Sequence, residues 1–237
     1  MSAPIAPSLP EFIATELLPF RIEVAQTEAD FRLACRARTI AYGKHLPEFG
    51  AAMQNPDVDD QSGDCTVLLA ISKLDGSCLG TVRIQTTDTG QLRLEDSFQL
   101  PKALKQGKVA EISRLAIPSR ANSLALRLML IKAAYWHCRF HQVARIFFCV
   151  RYPVDRQYKR FDLEDVLPAG EFVPMKHIGM IAHRVLWFDS LDIEHKWIHT
   201  GNPLHQVYFL THHPDLLNNI QARTMVLDEP LSLISNG

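Results

Sequence analysis

The sequence lacks the cysteine pattern of a disulfide framework or of a structural zinc site. Its five cysteines are scattered along the chain, no two of them form a CxxC pair, and their number is odd. Disulfide-rich secreted domains and zinc-binding domains show paired or regularly spaced cysteines instead. The pattern predicts a protein of a reducing compartment, so we expect a cytoplasmic location and no metal site.

Long apolar segments are missing too. No apolar run approaches the roughly 18 residues that a membrane-spanning helix needs. The N-terminal segment MSAPIAPSLPEF also lacks the basic region and hydrophobic block of a secretory signal. We therefore expect a soluble chain without stable membrane insertion. The sequence has no internal repeat and no low-complexity tract, which argues against the repeat architectures.

The chain has almost no net charge, with 25 basic and 26 acidic residues among 237. The charges are nevertheless unevenly placed, because the stretch from Arg114 to Arg160 holds ten Lys or Arg residues and one acid, Asp155. Such a basic stretch suits an anionic partner. The alternative is that these residues coat the outer faces of helices. The hydrophobic content of 47% is typical of a globular domain.

Hydrophobic periodicity predicts a mixed α/β protein. The proline-rich residues 1–19 are interpreted as a flexible N-terminal arm, and residues 20–237 as a single domain with a C-terminal extension from about residue 165. Strand patterns occur at residues 20–25, 65–73, 78–86, 109–117 and 143–151, with further extended candidates at 171–179 and 181–190. Helix patterns occur at residues 27–46, 121–141, 153–161 and 212–223.

The order of these elements indicates how the sheet is built. The Asp75-Gly76 pair predicts a hairpin between the second and third strands. The strand, long helix and strand over residues 109–151 predict a right-handed crossover with parallel pairing. The sheet should therefore change from antiparallel to parallel pairing at the fourth strand, residues 109–117.

This fourth strand, VAEISRLAI, carries two charges inside an otherwise apolar segment, Glu111 and Arg114. A buried charge is costly unless it is paired or used. In a regular strand the two side chains would point to opposite faces of the sheet, whereas a β-bulge would bring both to one side, where a cleft could use them. The alternative is that each charge pairs separately, for example with Arg83 of the neighbouring strand.

Several segments resemble acyltransferases of the GNAT fold. They are the helix RLACRARTIAYGKH, the acidic loop with Asp59, Asp60 and Asp64, the strand LGTVRIQT with Arg83, and above all EISRLAI. The E-x-x-R pattern, preceded by a strand with Gly and then Arg, is the most specific of these. The tail segments FVPMKHIG and AHRVL are similar to the N-acyl amino acid synthases of the FeeM type, relatives of the acyl-homoserine lactone synthases.

The resemblance implies a GNAT-like α/β (α+β) fold, a mixed central sheet flanked by helices with splayed fourth and fifth strands. The phosphopantetheine arm of the acyl donor would lie in that gap. Acetyl-CoA users follow the fourth strand with a glycine-rich loop that holds the pyrophosphate at a helix N-terminus, but IPSRANSLAL, residues 117–126, contains no glycine. The expected donor is therefore acyl carrier protein, with acyl-phosphopantetheine as a substrate and no separate cofactor.

The implied reaction moves a long acyl chain from the carrier protein to the amine of an amino acid. Glu111 would act as general base, directly or through one water, while Arg114 would orient it or bind a carboxylate. Backbone N–H groups of the bulge would stabilise the oxyanion. The candidate substrate-binding residues are Arg83, Asp59, Asp64 and Ser113. The candidate carrier- and phosphopantetheine-binding residues are Leu115, Ile117, Arg120 and Arg127.

Three other functions remain open at this stage. An acyl-CoA-dependent N-acyltransferase and an enzyme similar to the acyl-homoserine lactone synthases would share the fold. A protein that binds nucleic acid through the basic stretch would not need the acyl cleft, but the stretch contains no recognisable nucleic-acid recognition module. We therefore expect no nucleic-acid partner. His137 and His141, in HCRFH, do not follow the zinc pattern HExxH and are interpreted as packing or surface residues.

Overall fold

A computed structural model of the protein describes residues 9–118, 123–168 and 170–227. Its strands are β1 Ala14–Thr15, β2 Phe20–Val24, β3 Cys65–Ser72, β4 Cys78–Thr87, β5 Val109–Ala116, β6 Arg145–Arg151, β7 Glu164–Asp165, β8 Val173–Met175, β9 Ile181–Asp189 and β10 Thr211–His212. The α-helices are α1 Glu28–Gly43, α2 Pro47–Ala52, α3 Ser123–Phe140, α4 Ile193–Thr200 and α5 Pro214–Leu227. The predicted mixed α/β fold is confirmed.

Within the described residues, eight strands form one sheet in the order β2-β3-β4-β5-β6-β9-β7, with β8 paired to β9. The hairpin predicted around Asp75-Gly76 joins β3 and β4. The strands β5 and β6 are parallel, while their outer neighbours β4 and β9 pair antiparallel with them. The change of pairing expected at the fourth predicted strand therefore occurs at β5.

The helices cover both faces of the sheet because β3 is apolar on both sides. Val67 and Leu69 of β3 pack with Ala34 of α1 on one face. Leu68 and Ala70 point to the other face, where they belong to the large core that includes α3 and α5. Alternating side chains of one buried strand thus contribute to two apolar layers.

Several elements differ from the sequence-based expectation. The helices α2 and α4 were not predicted, and the segment 153–161 forms a 3-10 helix, Val154–Phe161, rather than an α-helix. Within the predicted N-terminal arm, β1 pairs in parallel with β10 and Leu18 is buried. The chain beyond residue 165 adds β8 and β9 to the main sheet. None of the described helices is long and apolar enough to cross a bilayer.

A β-bulge interrupts β5, as the two charges in its sequence suggested. Thr81 of β4 is opposite Ala116, but Arg83 is opposite Ser113, so one residue of β4 faces the two residues Arg114 and Leu115. Arg114 has a φ of 54°, in the left-handed region that non-glycine residues seldom adopt. The bulge turns the Arg114 side chain towards Asp57, which is also the partner of Arg83.

The splay predicted between the fourth and fifth strands is confirmed in β5 and β6. Their pairing runs from Val109 opposite Arg145 to Ile112 opposite Phe148 and extends no further. Both strands continue beyond this point, β5 to Ala116 and β6 to Arg151. The unpaired halves of the two strands therefore diverge directly after the segment that contains Glu111.

Close packing of α1 against α2 should make Gly50 intolerant of a side chain. A Cβ atom at Gly50 would lie 2.5 Å from the backbone nitrogen of Gly43. We expect Gly50→Ala to lower the free energy of unfolding by about 1–3 kcal/mol, the usual cost of overpacking, as measured by urea denaturation. Gly63→Ala is the matched control, since its Cβ would meet nothing within 4 Å. Equal losses in both variants would contradict this explanation.

Candidate functional site

The divergence of β5 and β6 opens a cleft of about 430 Å³, here called the first cleft. Its walls are residues 112–117, which include most of the splayed half of β5, and residues 148–151 of β6. The end of α1, the start of α2 and Arg127 of α3 close its sides. Apolar side chains such as Phe49, Leu115 and Phe148 line much of this space, so it suits an apolar ligand with a polar end.

A second cleft of about 550 Å³ adjoins the first and is strongly charged. Its walls are Asp57, Val58, Asp59, Arg93, Asp96, Arg114, Lys176 and His177. Among the described residues, Arg114 and His177 line both clefts. The two spaces therefore meet beside the bulge of β5.

Glu111 lies behind His177 at this junction and is 1% exposed. Its Oε2 atom accepts a hydrogen bond from the backbone N–H of Leu94 at 2.8 Å. Its Oε1 atom lies 3.4 Å from Nε2 of His177 and has no hydrogen-bond partner among the described residues. Glu111 does not pair with Arg83, which was the alternative explanation of its charge. Among the residues that the structure describes, no arginine or lysine pairs with this buried carboxylate.

Arg83 is 1% exposed, and its guanidinium group binds Asp57 of the acidic loop. Its Nη1 atom donates to both carboxylate oxygens of Asp57, at 2.8 and 3.0 Å, and its Nε atom donates to Ser113 Oγ at 3.3 Å. Arg83 lines neither cleft. Its contact with the second cleft therefore runs through Asp57.

Arg114 lies between the two clefts and interacts with a side chain of each. Its Nη2 atom lies 3.4 Å from Oδ2 of Asp57, and its guanidinium carbon lies 5.3 Å from the centre of the Phe49 ring. Burial and the neighbouring charge of Arg83 lower the pKa of Arg114. Burial alone would raise the pKa of Asp57, but the charges of Arg83 and Arg114 outweigh it and hold that pKa below its usual value.

Arginines also bind Asp59 and Asp60 of the acidic loop. Arg38 of α1 donates to Asp60 at 2.6 Å, and both side chains are 1% exposed. Arg93 binds Asp59 in a bidentate contact. Such planar, two-bond contacts fix orientation as well as charge. Asp57, Val58 and Asp59 of the acidic loop thus form one wall of the second cleft, and arginine contacts orient its carboxylates.

The structure brings together most, but not all, of the predicted site residues. Ser113, Arg114, Leu115, Ile117 and Arg127 line the first cleft, and Asp59 lines the second. Asp64 lies apart, beside a third cavity, where it accepts a hydrogen bond from Gln85 at 3.0 Å. Arg120 lies outside the described residues.

Sequence reasoning did not single out His177, the residue that faces Glu111. It follows β8 in a short 3-10 turn, Lys176–Ile178, which packs beside the 3-10 turn containing Leu94. The segment FVPMKHIG signalled an extended stretch and contained this histidine. Nothing local in that segment indicated that it folds over β5, since the contact joins elements far apart in the chain.

Glu111, Cys149 and His177 bring an oxygen, a sulfur and a nitrogen atom within 4.8 Å of one another. These are ligand types that zinc accepts. Burial, together with the charge of Glu111, raises the pKa of the Cys149 thiol well above its usual value. A raised pKa favours the thiol form of Cys149 over the thiolate, which is the form that acts as a nucleophile.

Comparison with protein families agrees with this geometry. The sequence profile described as N-acyl amino acid synthase FeeM matches residues 47–170, a little over half of the chain. The matched segment contains the acidic loop, the bulged strand β5 and the splayed strand β6. The chain belongs to the FeeM family. As a member of this family, the protein is an acyltransferase.

Several solved structures share the fold of this chain. FeeM, an N-acyl amino acid synthase from uncultured soil microbes, superposes with a TM-score of 0.62 at 11% identity, covering 79% of this chain and 97% of FeeM. BjaI, a CoA-dependent acyl-homoserine lactone synthase, gives 0.55 at 16% identity over 87% and 99% of the two chains. A GNAT-family protein from Desulfovibrio desulfuricans gives 0.51 at 12% identity over 72% and 99%. A search of curated protein sequences finds no match.

Membership of the FeeM family defines the general reaction that the two clefts must serve. An acyltransferase needs room for an acyl donor and for an acceptor, with the two reacting atoms in contact. The first cleft is the more apolar and follows the splayed strands, whereas the second is charged. The FeeM-family chain thus has one largely apolar cleft and one charged cleft, which meet at Arg114 and His177.

Proposed function

We propose that the protein transfers a long acyl chain from acyl carrier protein to the amine of an amino acid. The observation that carries this proposal is the junction of the two clefts beside Glu111. The thioester would enter between β5 and β6, and the amine would approach from the charged second cleft. Leu115 and Ile117 would line the path of the phosphopantetheine arm, with Arg127 beside it.

The acyl donor is assigned from the charge and the chain pattern around the first cleft. Its border includes the basic or titratable residues Lys44, His45, Arg127 and Arg151, and no acidic residue of the described part of the chain. Acyl carrier proteins are acidic, so this rim would favour their approach. The segment after β5, residues 117–126, has no glycine to shape a pyrophosphate cradle. The arm of a carrier protein has a single phosphodiester, which needs fewer backbone N–H contacts from that segment than the pyrophosphate of CoA.

The acceptor is assigned from the second cleft. Lys176 and Arg114 offer positive charge for a carboxylate, and Arg114 presents a planar guanidinium group that suits one. Asp59 supplies negative charge near the place of an ammonium group, although Arg93 already binds it. A zwitterionic amino acid matches a wall that carries both signs of charge. Asp64 lies too far from this cleft to be given a role in the proposal.

The chemistry needs no side-chain nucleophile. Glu111 supplies the negative charge that drives removal of a proton from the amine, and Arg114 holds the acceptor near the thioester. Ser113, which contacts Arg83, keeps the wall between the clefts in place. Backbone N–H groups at the bulge would stabilise the oxyanion that forms on the thioester carbonyl.

Reversing the charge of Arg127 tests the choice of donor. We expect Arg127→Glu to reduce kcat/KM with acyl carrier protein by about tenfold, because a charge at the rim steers association with a charged partner. Turnover of the same acyl group on free pantetheine should change little. The measurement is initial rates with both donors at several salt concentrations, since screening should weaken the effect.

Arg36→Glu is the control for this experiment, because Arg36 is an exposed arginine of α1 that lines neither cleft. Equal losses from both variants would show a general charge effect. Acyl-CoA should be turned over more slowly than the matched acyl carrier protein. Equal or faster turnover of acyl-CoA would contradict the carrier-protein donor and favour the CoA-dependent alternative.

A further inference from the structure

His177 occupies the space between Glu111 and the two clefts. Its side chain is 8% exposed, and its Nε2 atom faces Oε1 of Glu111 at 3.4 Å. Neither ring nitrogen has a hydrogen-bond partner among the described residues, and Oε1 of Glu111 has none. Buried polar atoms are normally satisfied, so a cluster of unsatisfied ones calls for an explanation. Here three such atoms meet at the point where the clefts join.

The position of Glu111 makes a direct contact with substrate difficult. Glu111 lines neither cleft, whereas His177 lines both. A thioester in the first cleft and an amine in the second would therefore meet beside the imidazole ring and not beside the carboxylate. The arrangement resembles a catalytic pair in which a carboxylate orients a base and only the base contacts the substrate.

We propose that His177 is the catalytic base that takes the proton from the attacking amine, and that Glu111 acts through it. Glu111 is then a positioning residue that orients the imidazole and stabilises its protonated form. This assignment rests on the proposed acyl transfer and adds to it the group that contacts the reacting nitrogen.

The transfer balances with these residues alone. The amine nitrogen forms a bond to the thioester carbonyl carbon, and the carbonyl electron pair moves onto oxygen. The amine proton passes to Nδ1 of His177, while the Nε2–H group donates to Oε1 of Glu111. When the intermediate collapses, the carbon–sulfur bond breaks and the leaving thiolate takes the proton from His177. The products are an amide and a free pantetheine thiol.

Charged and titratable groups from several elements surround His177. The groups that face it are Glu111 and Arg114 on β5, Cys149 and Arg151 on β6, His183 on β9, and Asp57, Asp59, Arg93, Asp96 and Lys176 around the second cleft. Imidazole is the side chain that ordinarily changes its protonation between about pH 5 and 8. A base of this type must be neutral to act, so activity should fall on the acid side.

The test compares the wild type with His177→Gln and His177→Ala, using a donor and amine that the wild type converts. We expect His177→Gln to lower kcat/KM by at least about 100-fold and to abolish the fall in activity on the acid side. Free imidazole should restore part of the activity of His177→Ala by entering the vacated space. The double variant with Glu111→Gln should lose little more than the worse single variant, because the two residues act as a unit.

His195→Gln is the control, because His195 is an exposed histidine of α4. Wild-type kcat/KM for His177→Gln at every pH would overturn the assignment. So would a loss of activity that leaves the shape of the pH profile unchanged and is not rescued by imidazole. Activity that disappears with a chelator and returns with Zn²⁺ would also overturn it, since a metal would occupy the histidine nitrogen. A wild type that transfers no acyl group from any donor would overturn the proposed function itself.

Discussion

Glu111→Gln should lower kcat/KM for acyl transfer by about 10²- to 10⁴-fold, the contribution usual for a positioned acid or base. The loss should come from the charge alone, because glutamine has the same shape and its amide oxygen can still accept the hydrogen bond from Leu94 N–H. Without the negative charge, a protonated His177 would lose the counter-charge that faces its Nε2 atom. The measurement is steady-state kinetics over a range of pH, together with mass spectrometry of the N-acyl product.

The control for this prediction is Glu171→Gln, which removes a carboxylate from an exposed position. It should retain wild-type kinetics. The midpoint temperature of thermal unfolding of Glu111→Gln should stay close to that of the wild type or rise, because the variant no longer buries an unpaired charge. A fully active Glu111→Gln enzyme would contradict the functional interpretation of the acid in β5. An inactive variant that is also unfolded would point instead to a structural role.

Asp60→Asn should destabilise the fold by about 3–5 kcal/mol, the usual cost of removing one partner of a buried ion pair. Asp60 and Arg38 are each 1% exposed, and the Nε and Nη2 atoms of Arg38 have no other partner among the described residues. The guanidinium group would stay charged inside the protein without its counter-charge. Urea denaturation at neutral pH measures the change in the free energy of unfolding.

The exposed pair of Arg32 and Glu28 on α1 provides the matched control. Glu28→Gln should change stability by less than about 0.5 kcal/mol, because solvent already screens that pair. The double variant Arg38→Met with Asp60→Leu should recover much of the stability that Asp60→Asn loses, since it leaves no charge buried. If Asp60→Asn were as stable as the wild type, the acidic loop would not depend on the Arg38 contact.

The loss of the Arg38 contact should also affect catalysis. Asp57, in the same loop, contacts both Arg83 and Arg114. A loop that moves would alter the charges around the second cleft, so we expect a higher KM for the amine in Asp60→Asn than in Glu28→Gln. The buried ion pair of Arg38 and Asp60 thus links the stability of the acidic loop to the second cleft.

Much of the fold followed from local patterns in the sequence. Alternating and continuous apolar runs predicted β2 to β6, and Asp75-Gly76 predicted the hairpin. The charges Glu111 and Arg114 in the apolar strand VAEISRLAI suggested either a bulge or separate pairing of each charge, and the structure shows the bulge. The helix α4 was missed, and the segment 153–161 was assigned the wrong helix type. Short helices such as these depend on tertiary packing more than on their own propensity.

The candidate site was foreseen less completely. The E-x-x-R pattern drew attention to the correct strand, and the resemblance to acyltransferases gave the splay of β5 and β6. The sequence could not reveal that Asp57 takes up the guanidinium group of Arg83, or that Asp64 lies beside another cavity. These outcomes depend on which of several nearby carboxylates comes closest to each arginine after folding. Composition and spacing contain no information about such a choice.

By itself, the sequence determined the mixed sheet, the change of strand pairing at β5 and the presence of two charges in that strand. These follow from hydrophobic periodicity and from the cost of burying a charge, which act over a few neighbouring residues. Only the tertiary structure decided which groups meet Glu111. His177 reaches it from a turn after β8, and the two clefts meet there because β5 and β6 separate. Contacts between elements so far apart in the chain are set by the packing of the whole domain.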